Sequence, residues 1–398
     1  MTPEYDVIVV GAGPAGSTTA CLVAASGAKV LVLEKETFPR FHIGESLLPR
    51  SVPLLRRLGL DTSGFRYKGG AEFFDEVTGD HSIYPFADAL PGTDVPGHAY
   101  QVERGPFDAA LLGRAEACGA RVLQGERVAA IDVGETSVSV TTGTGRHVGR
   151  YCVDATGQDA FVARRDRSAV PYESFGRAAV FTHYDGITGA AEELIGADGN
   201  IKVLITEAGW GWLIPLSGGR LSVGAVTRNG GVTPELLESA IASSALTRAL
   251  TEGSRRLGTH VIRNFSFRNS RPSGARYTSV GDAAAFLDPV FSSGVALAML
   301  GAEAVSDRLI PALAEGREGD PELMNPVWTH MDRAYRAVSS LIHAFYHTGL
   351  VRNLFFARLP DPVMRSGLIT ILALDVWRSD NEFQEMLMRS RRRQSWPT

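Results

Sequence analysis

Cysteine is scarce: Cys21, Cys118 and Cys152 are the 3 in 398 residues, an odd count without C-x-x-C or metal-ligand spacing. That excludes a disulfide framework and a zinc site, and the three read as isolated, small buried hydrophobes in a reducing compartment. Excess charge is lacking too. A formal net charge of -4 with 21% charged residues leaves no basic footprint, so nucleic acid is not an expected partner. The apolar runs are shorter than the roughly 20 residues of a bilayer span, so no membrane is expected either. A strand-like run begins at Tyr5, which leaves no room for a signal peptide and makes the cytoplasm the expected location. No repeat or low-complexity block appears, and the length suits about two or three cores.

Glycine is plentiful, and its placement near the start organises the rest. Tyr5 to Val10 is a β-branched apolar run of the buried-strand kind. Gly11-Ala12-Gly13-Pro14-Ala15-Gly16 follows at once, and a helical pattern, Ser17 to Ser26, follows that. In this strand-turn-helix setting Gly11 permits the tight turn, Gly13 admits a pyrophosphate to the backbone, and Gly16 lets helix and strand pack closely. The helix start offers unpaired N–H groups to a diphosphate. A second strand, Lys29 to Leu33, ends in Glu34, where an acid would bind the ribose hydroxyls of an adenine dinucleotide.

Downstream, Phe38 to Pro49 is a proline-bounded loop dense in aromatic, basic and acidic residues, a mixture that suggests ligand contact. Leu47 to Leu58 is helical in pattern and stops at Gly59. Phe65 to Phe74 reads as one half-exposed strand carrying Lys68, and Ser82 to Pro96 as an irregular excursion. A helix is expected over Pro106 to Cys118, with Asp108 in its first turn and Arg104 just before it. Arg104 either reaches a cofactor's phosphates or forms a surface ion pair. Val122 to Ala130, Ser137 to Thr142 and His147 to Tyr151 read as an antiparallel meander, and Tyr151 to Gly157 as a buried strand ending in a small-residue turn. Four strands, Val180 to Asp185, Ile201 to Glu207, Trp210 to Leu216 and Arg220 to Val226, predict an antiparallel sheet. Thr233 to Ala249 reads as a single helix. Tyr277 to Gly294 is a strand, an acid at Asp282 and a small-residue loop before a helix, Gly294 to Leu309. From Pro321 on the pattern is helical. His343 and His347 stand one turn apart without a third metal ligand, and no metal site is expected. Arg389, Arg391, Arg392 and Arg393 make a short basic tail.

Spread over residues 5 to 310, these motifs resemble those of the flavin-dependent halogenases, in the branch acting on phenols and pyrroles. The glycine motif, Glu34, Arg104 and Gly281-Asp282 belong to the wider class A flavin monooxygenase-like group. Trp210-Gly-Trp212-Leu-Ile214-Pro215 matches the halogenase W-x-W-x-I-P motif. Phe286, Pro289, Ser292 and Gly294 match F-x-x-P-x-x-S-x-G, and Gly44-Glu45-Ser46 matches the G-E-S loop. The resemblance implies an α/β architecture with a Rossmann-like FAD-binding domain of the p-hydroxybenzoate hydroxylase (GR2) kind. That domain is expected over 1–80, 100–170 and 275–320, a substrate-binding antiparallel sheet domain over 81–99 and 171–274, and a helical region over 321–398. Besides the glycine motif with Pro14 and Ala15, implied FAD contacts are Glu34, Lys35, Ser46, Arg104, Gly157, Gly281, Asp282, Pro289 and Gly294.

The implied chemistry uses FAD as FADH2, O2, and chloride or bromide. A flavin C4a-hydroperoxide oxidises halide to hypohalous acid, with the halide held by backbone N–H groups around Ser293 and Gly294. Lys68 falls where the family carries its catalytic lysine, and Ser292 lies on the same path. If the W-x-W segment is a strand, its indoles are read as pointing to opposite faces, so that at most one meets the flavin. Phe291 stands where tryptophan halogenases carry a glutamate, which suggests a ring activated by its own hydroxyl or pyrrole nitrogen. Implied partners are a separate NAD(P)H-flavin reductase and a small aromatic substrate, possibly on an acyl or peptidyl carrier protein. The oligomeric state stays open. A single-component aromatic hydroxylase, an isoprenoid reductase and a non-catalytic flavin-binding protein remain alternatives; Asp154-Ala-Thr-Gly157 interrupts the hydroxylase Asp-Gly pair.

Overall fold

The computed structural model describes residues 2–392 except 173–174, 176–177, 208, 228–230, 264, 350–353 and 358–360. The run Tyr5–Val10 forms a strand at the centre of an 8-stranded sheet. Its neighbours are Arg146–Asp154 on one side and Val30–Glu34 on the other, both parallel to it. Arg121–Gln124 and Tyr277–Ser279 extend the parallel set outward. Ligands of such sheets bind at the carboxyl ends of the strands, and Gly11, Glu34, Ala155 and Val280 all lie there. The helix Pro14–Ala25 packs against the helices Arg104–Ala117 and Ser293–Ala314. The expected meander is present, but its last strand and the expected strand to Gly157 are one element, Arg146–Asp154.

A second, 7-stranded sheet runs in the order Arg255–Arg263, Ala178–Asp185, Arg220–Thr227, Gly209–Leu216, Ile201–Ile205, Gly70–Asp75, His81–Pro85. Its four middle strands are the predicted ones. The two outer strands on one side correct the reading of the N-terminal part: residues 70–75 belong to this sheet, so the expected division at residue 80 falls inside it, and the expected irregular excursion opens with the strand His81–Pro85. The supposed single strand Phe65 to Phe74 breaks at Gly69, whose N–H donates to the Asp198 carbonyl at 2.7 Å. Upstream of the break, Arg66–Lys68 pairs with Ala99–Gln101 in a two-stranded ribbon.

Three further expectations are corrected. The helix expected over Thr233 to Ala249 is two, Pro234–Ser243 and Ala245–Thr251, because Ser244 turns extended and its hydroxyl accepts the Thr247 N–H at 3.1 Å to cap the second. The helix expected from Pro106 begins at Arg104, so Asp108 is past its first turn. Cys21 and Cys118 are not isolated: the packing of their helices brings the two sulfurs to 2.9 Å, with Cys21 buried. The C-terminal helices are Asn325–His347, Pro362–Leu372 and Glu382–Arg392. The first carries Met331, Ala334, Val338, Leu341 and Phe345 into the main core, at the helical spacing that marked it in the sequence. His343 and His347 have ring centroids 4.8 Å apart on it. The basic tail is the end of the last helix, with Arg393 outside the described residues. Among the described residues, no helix is long and apolar enough to cross a membrane.

Candidate active site

A cavity of about 620 Å³ lies between the two sheets, and most of the predicted residues line it. At one end is the glycine turn. Gly11 has φ +99°, and a Cβ there would meet the Ala155 carbonyl oxygen at 2.3 Å; a Cβ on Gly16 would meet the Gly11 oxygen at 1.9 Å. Both positions therefore require glycine, the first for conformation and the second for helix-to-strand contact. Gly16 is buried behind the wall, whereas Gly13, Pro14 and Ala15 line the cavity. At Gly13 a Cβ would touch only Arg40 Nη2, at 3.7 Å. That leaves the backbone open to a ligand from the cavity side. No side chain caps the 12-residue helix that starts here, so its N–H groups and partial positive charge are available to a diphosphate.

Glu34 is buried in the same wall, accepting the Ala12 N–H at 2.7 Å and the Glu36 N–H at 2.8 Å. Lys35 lines the cavity beside it and pairs with Asp159. Gly157 and Gly281 complete this end, and Asp282 accepts from Gln158 Nε2 at 3.0 Å. Burial raises the Asp282 carboxyl above its ordinary value, against the lowering by Gln158 and Arg104. A cavity with a glycine cradle, an acid at the second strand and a second acid opposite fits FAD.

Arg104 makes the ion pair of its second reading, but the pair is buried and not at the surface. It is buried in the cavity wall, and it also donates to both Asp108 oxygens at 2.8 and 2.9 Å and to the Ile43 carbonyl at 2.6 Å. Arg40 adds a third bond to Asp108 at 3.1 Å. One fully buried carboxylate thus fixes two guanidinium groups against the proline-bounded loop. Within that loop, burial and Arg104 lower the His42 pKa to about 4.

The far end of the cavity is built by the strand Gly209–Leu216 and the turn before the helix Ser293–Ala314. Trp210 and Trp212 share a face, with centroids 5.8 Å apart, and both line the cavity together with Ile214. This overturns the expectation of opposite faces: a strand repeats every two residues, so positions 210, 212 and 214 point the same way, while Pro215 lies on the other side. Gly224 lies opposite Trp212 in the ladder, and a Cβ there would meet the indole at 2.2 Å. Across the cavity, Pro289, Ser292, Gly294 and Phe286 form the wall. Ser292 has φ +57°, and Ser293 is buried as the first residue of a 22-residue helix with no side-chain cap.

Lys68 does not line the cavity but lies behind Ser46, 1% exposed. Its Nζ donates to Ser46 Oγ at 2.8 Å and to the Leu47 carbonyl at 2.9 Å, and sits 5.2 Å from the Phe86 ring centroid. Ser46 lines the cavity, so one hydroxyl joins the lysine to it. The topology explains the meeting: Ala99–Gln101 pairs with Arg66–Lys68 and also bridges Ser46 through Gln101. Lys68 has no ion pair among the described residues, and burial lowers its pKa to about 7.

Several contributors escaped the sequence reading. Glu45 lines the cavity and bonds His183 Nε2 at 2.7 Å, and Phe41 stacks on His260 at 4.2 Å. Glu45 was visible as the middle of G-E-S, but His183 sits in an unremarkable strand. Tyr346, from the C-terminal helix, accepts the Trp210 Nε1–H at 2.8 Å; in the sequence it stood out only as one of the aromatics of the helical region.

With this geometry, the similarities to known proteins are consistent. The flavin-dependent halogenase armH4 of Armillaria mellea is 32% identical over 346 residues, which is 76% of this chain and 64% of that protein. The 1H-pyrrole-2-carbonyl-(peptidyl-carrier protein) chlorinase of Pseudomonas fluorescens is 29% identical over 409 residues, covering 94% of this chain and 90% of that one. The solved flavin-dependent brominase Bmp2 superposes with a TM-score of 0.84 at 25% identity, over 98% of each chain. The tryptophan halogenase family model matches residues 6–98 and 88–358, and the chain belongs to that family.

Proposed function

We propose that the chain is an FAD-dependent halogenase that replaces a ring hydrogen of an electron-rich phenol or pyrrole by chlorine or bromine, in secondary-metabolite biosynthesis. Reduced FAD, when bound, supplies with O2 the two-electron oxidation that turns halide into hypohalous acid. A separate NAD(P)H-flavin reductase would provide it, in the cytoplasm where both nucleotides are at hand. The single observation that carries this reading is Lys68, buried with no counter-charge among the described residues and joined to the cavity through Ser46. Burying a charged lysine without a partner is costly, so its retention points to chemistry.

At the turn, the N–H groups of Ser293 and Gly294 and the positive end of the long helix would hold the halide. Trp210, Trp212 and Phe286 keep that end apolar and exclude a bulky ring from it. With a pKa of about 7, Lys68 is present in both protonation states near neutrality. The ammonium can donate a hydrogen bond to hypohalous acid. The neutral amine can take the halogen, forming an N–halogen bond as the O–halogen bond breaks and water leaves with the amine proton. Ser46 and Ser292 lie along the way.

Phe291 is buried against Phe345 and offers no carboxylate to a weakly activated ring. This supports a phenol or pyrrole. The Pseudomonas relative that matches nearly end to end is named for a carrier-bound pyrrole, which supports a carrier-tethered substrate here. The test is to supply FADH2, O2 and chloride or bromide with free phenols, free pyrrole-2-carboxylate and its carrier thioester, and weigh the products. A gain of one halogen for one hydrogen is expected; a gain of one oxygen independent of halide would establish the hydroxylase reading.

A further inference from the structure

Two thiols outside the cavity touch each other. Cys21 stands in the helix Pro14–Ala25, about two turns beyond the glycine turn, and Cys118 ends the helix Arg104–Ala117. The residues are 97 apart in sequence, yet their sulfurs are 2.9 Å apart. Cys21 is buried, whereas Cys118 is half-buried and open to small solutes. Cys152, the third cysteine, is fully buried in a separate core cluster. A covalent S–S bond is about 2.0 Å long, so the two sulfurs need to close by only about 0.9 Å. Cys118 sits at a helix end, just before Gly119 at φ +103°, where side chain and backbone can give that much.

We propose that Cys21 and Cys118 are a modification site, which a two-electron oxidant of the hydroperoxide class converts to a reversible disulfide. Reduced flavin and O2 yield hydrogen peroxide whenever turnover is uncoupled, so a flavin-dependent enzyme sits beside its own source of that oxidant. Burial and the neighbouring Cys118 push the Cys21 thiol up, which sets the order of events. Cys118 reacts first, as the thiolate: its sulfur attacks one peroxide oxygen, the S–O bond forms as the O–O bond breaks, and the released hydroxide takes the Cys118 proton as water. The Cys21 sulfur then attacks the Cys118 sulfur, the S–S bond forms as the S–O bond breaks, and the second water leaves with the Cys21 proton. Two thiols lose two electrons and two protons, and peroxide is reduced to two waters. The starts of both helices line the cavity, through Pro14 and Arg104. The cross-link therefore ties the glycine cradle to the helix of Arg104 while oxidant is present, and it restricts the unfolded chain as well.

The test uses the FAD-loaded full chain, reduced with dithiothreitol, freed of it, and given a small excess of hydrogen peroxide without halide or substrate. Intact mass, a non-reducing peptide map and the melting temperature are read. The expected result is a loss of two hydrogens, a linked Cys21–Cys118 peptide with Cys152 still a thiol, and a melting temperature about 5 °C higher, all reversed by dithiothreitol. In Cys21→Ser the reaction should stop at a sulfenic acid, seen as a dimedone adduct on Cys118. In Cys118→Ser the Cys21 thiol should survive the same treatment. Oxygen added to Cys118 of the wild type without a cross-link, a link between two molecules, earlier loss of the Cys152 thiol, survival of every thiol, or a cross-link that lowers the melting temperature would each overturn the proposal. Halide and substrate are absent throughout, so the result is independent of the halogenation reading, whose own failure shows in the product assay.

Discussion

The two ends of the cavity are each built on a helix start without a side-chain cap, and they are made in different ways. At the dinucleotide end the strand, glycine turn, helix and Glu34 lie in one contiguous stretch, while Gly157, Gly281 and Asp282 come from farther along the chain. At the proposed halide end the helix start is held by Asp288 just upstream together with pieces distant in sequence, the indole strand across the cavity and Tyr346 from the C-terminal helix. Lys68 belongs to the second kind, since it meets Ser46 only because both pair with Ala99–Gln101. Local construction tolerates little change at single positions. Distributed construction spreads the same task over contacts that can each be weakened separately.

The largest effect should come from the local end. Gly16→Ala places a methyl carbon 1.9 Å from a backbone oxygen, which cannot move without opening the turn. FAD affinity, followed by flavin fluorescence on titration, should fall by more than about 100-fold, a loss of about 3 kcal/mol or more. Asp108→Ala leaves two guanidinium groups without their shared carboxylate, and urea unfolding should show a loss of about 3–5 kcal/mol, the cost of stranding a buried charge.

Lys68→Met should have the opposite sign. The folded pKa near 7 lies below the ordinary 10.5, so between these values the unfolded chain holds the proton that the folded one has lost. Stability of the wild type therefore falls as pH drops from 10.5 to 7, and no further below. Melting curves should show the variant more stable by roughly 2–4 kcal/mol near pH 6–7 and little different near pH 10. The smallest effect is expected for Ser292→Gly. Glycine accepts φ +57° without strain, so stability should stay within about 1 kcal/mol, and the chloride KM within about twofold, because the proposed halide donors are backbone groups.

This contrast also explains what could be read from sequence. The central strand, the glycine turn and the four middle strands of the second sheet follow from local alternation and turn residues, and so were legible. Gly69 was not recognised as a break, because the bond that ends the strand comes from Asp198, far along the chain. The indoles were misplaced by an error of strand period, which Leu213 on the opposite face corrects. Lys68 looked like a surface lysine because nothing local marks burial; family resemblance singled it out, and the ribbon explains it. Tyr346 stood out only as one of several C-terminal aromatics, since its place in the site depends on where a helix of ordinary amphipathic pattern docks.

The most direct test of the central claim follows the oxidant and the product separately in one turnover of Lys68→Ala. FADH2-loaded protein is mixed with O2, bromide and substrate, with a dye that traps free hypohalous acid. The expected result is at least as much trapped oxidant as in wild type and almost no halogenated product, because the oxidant made at the proposed halide turn has no receiver. Product at the wild-type level, or the loss of both oxidant and product, would contradict it.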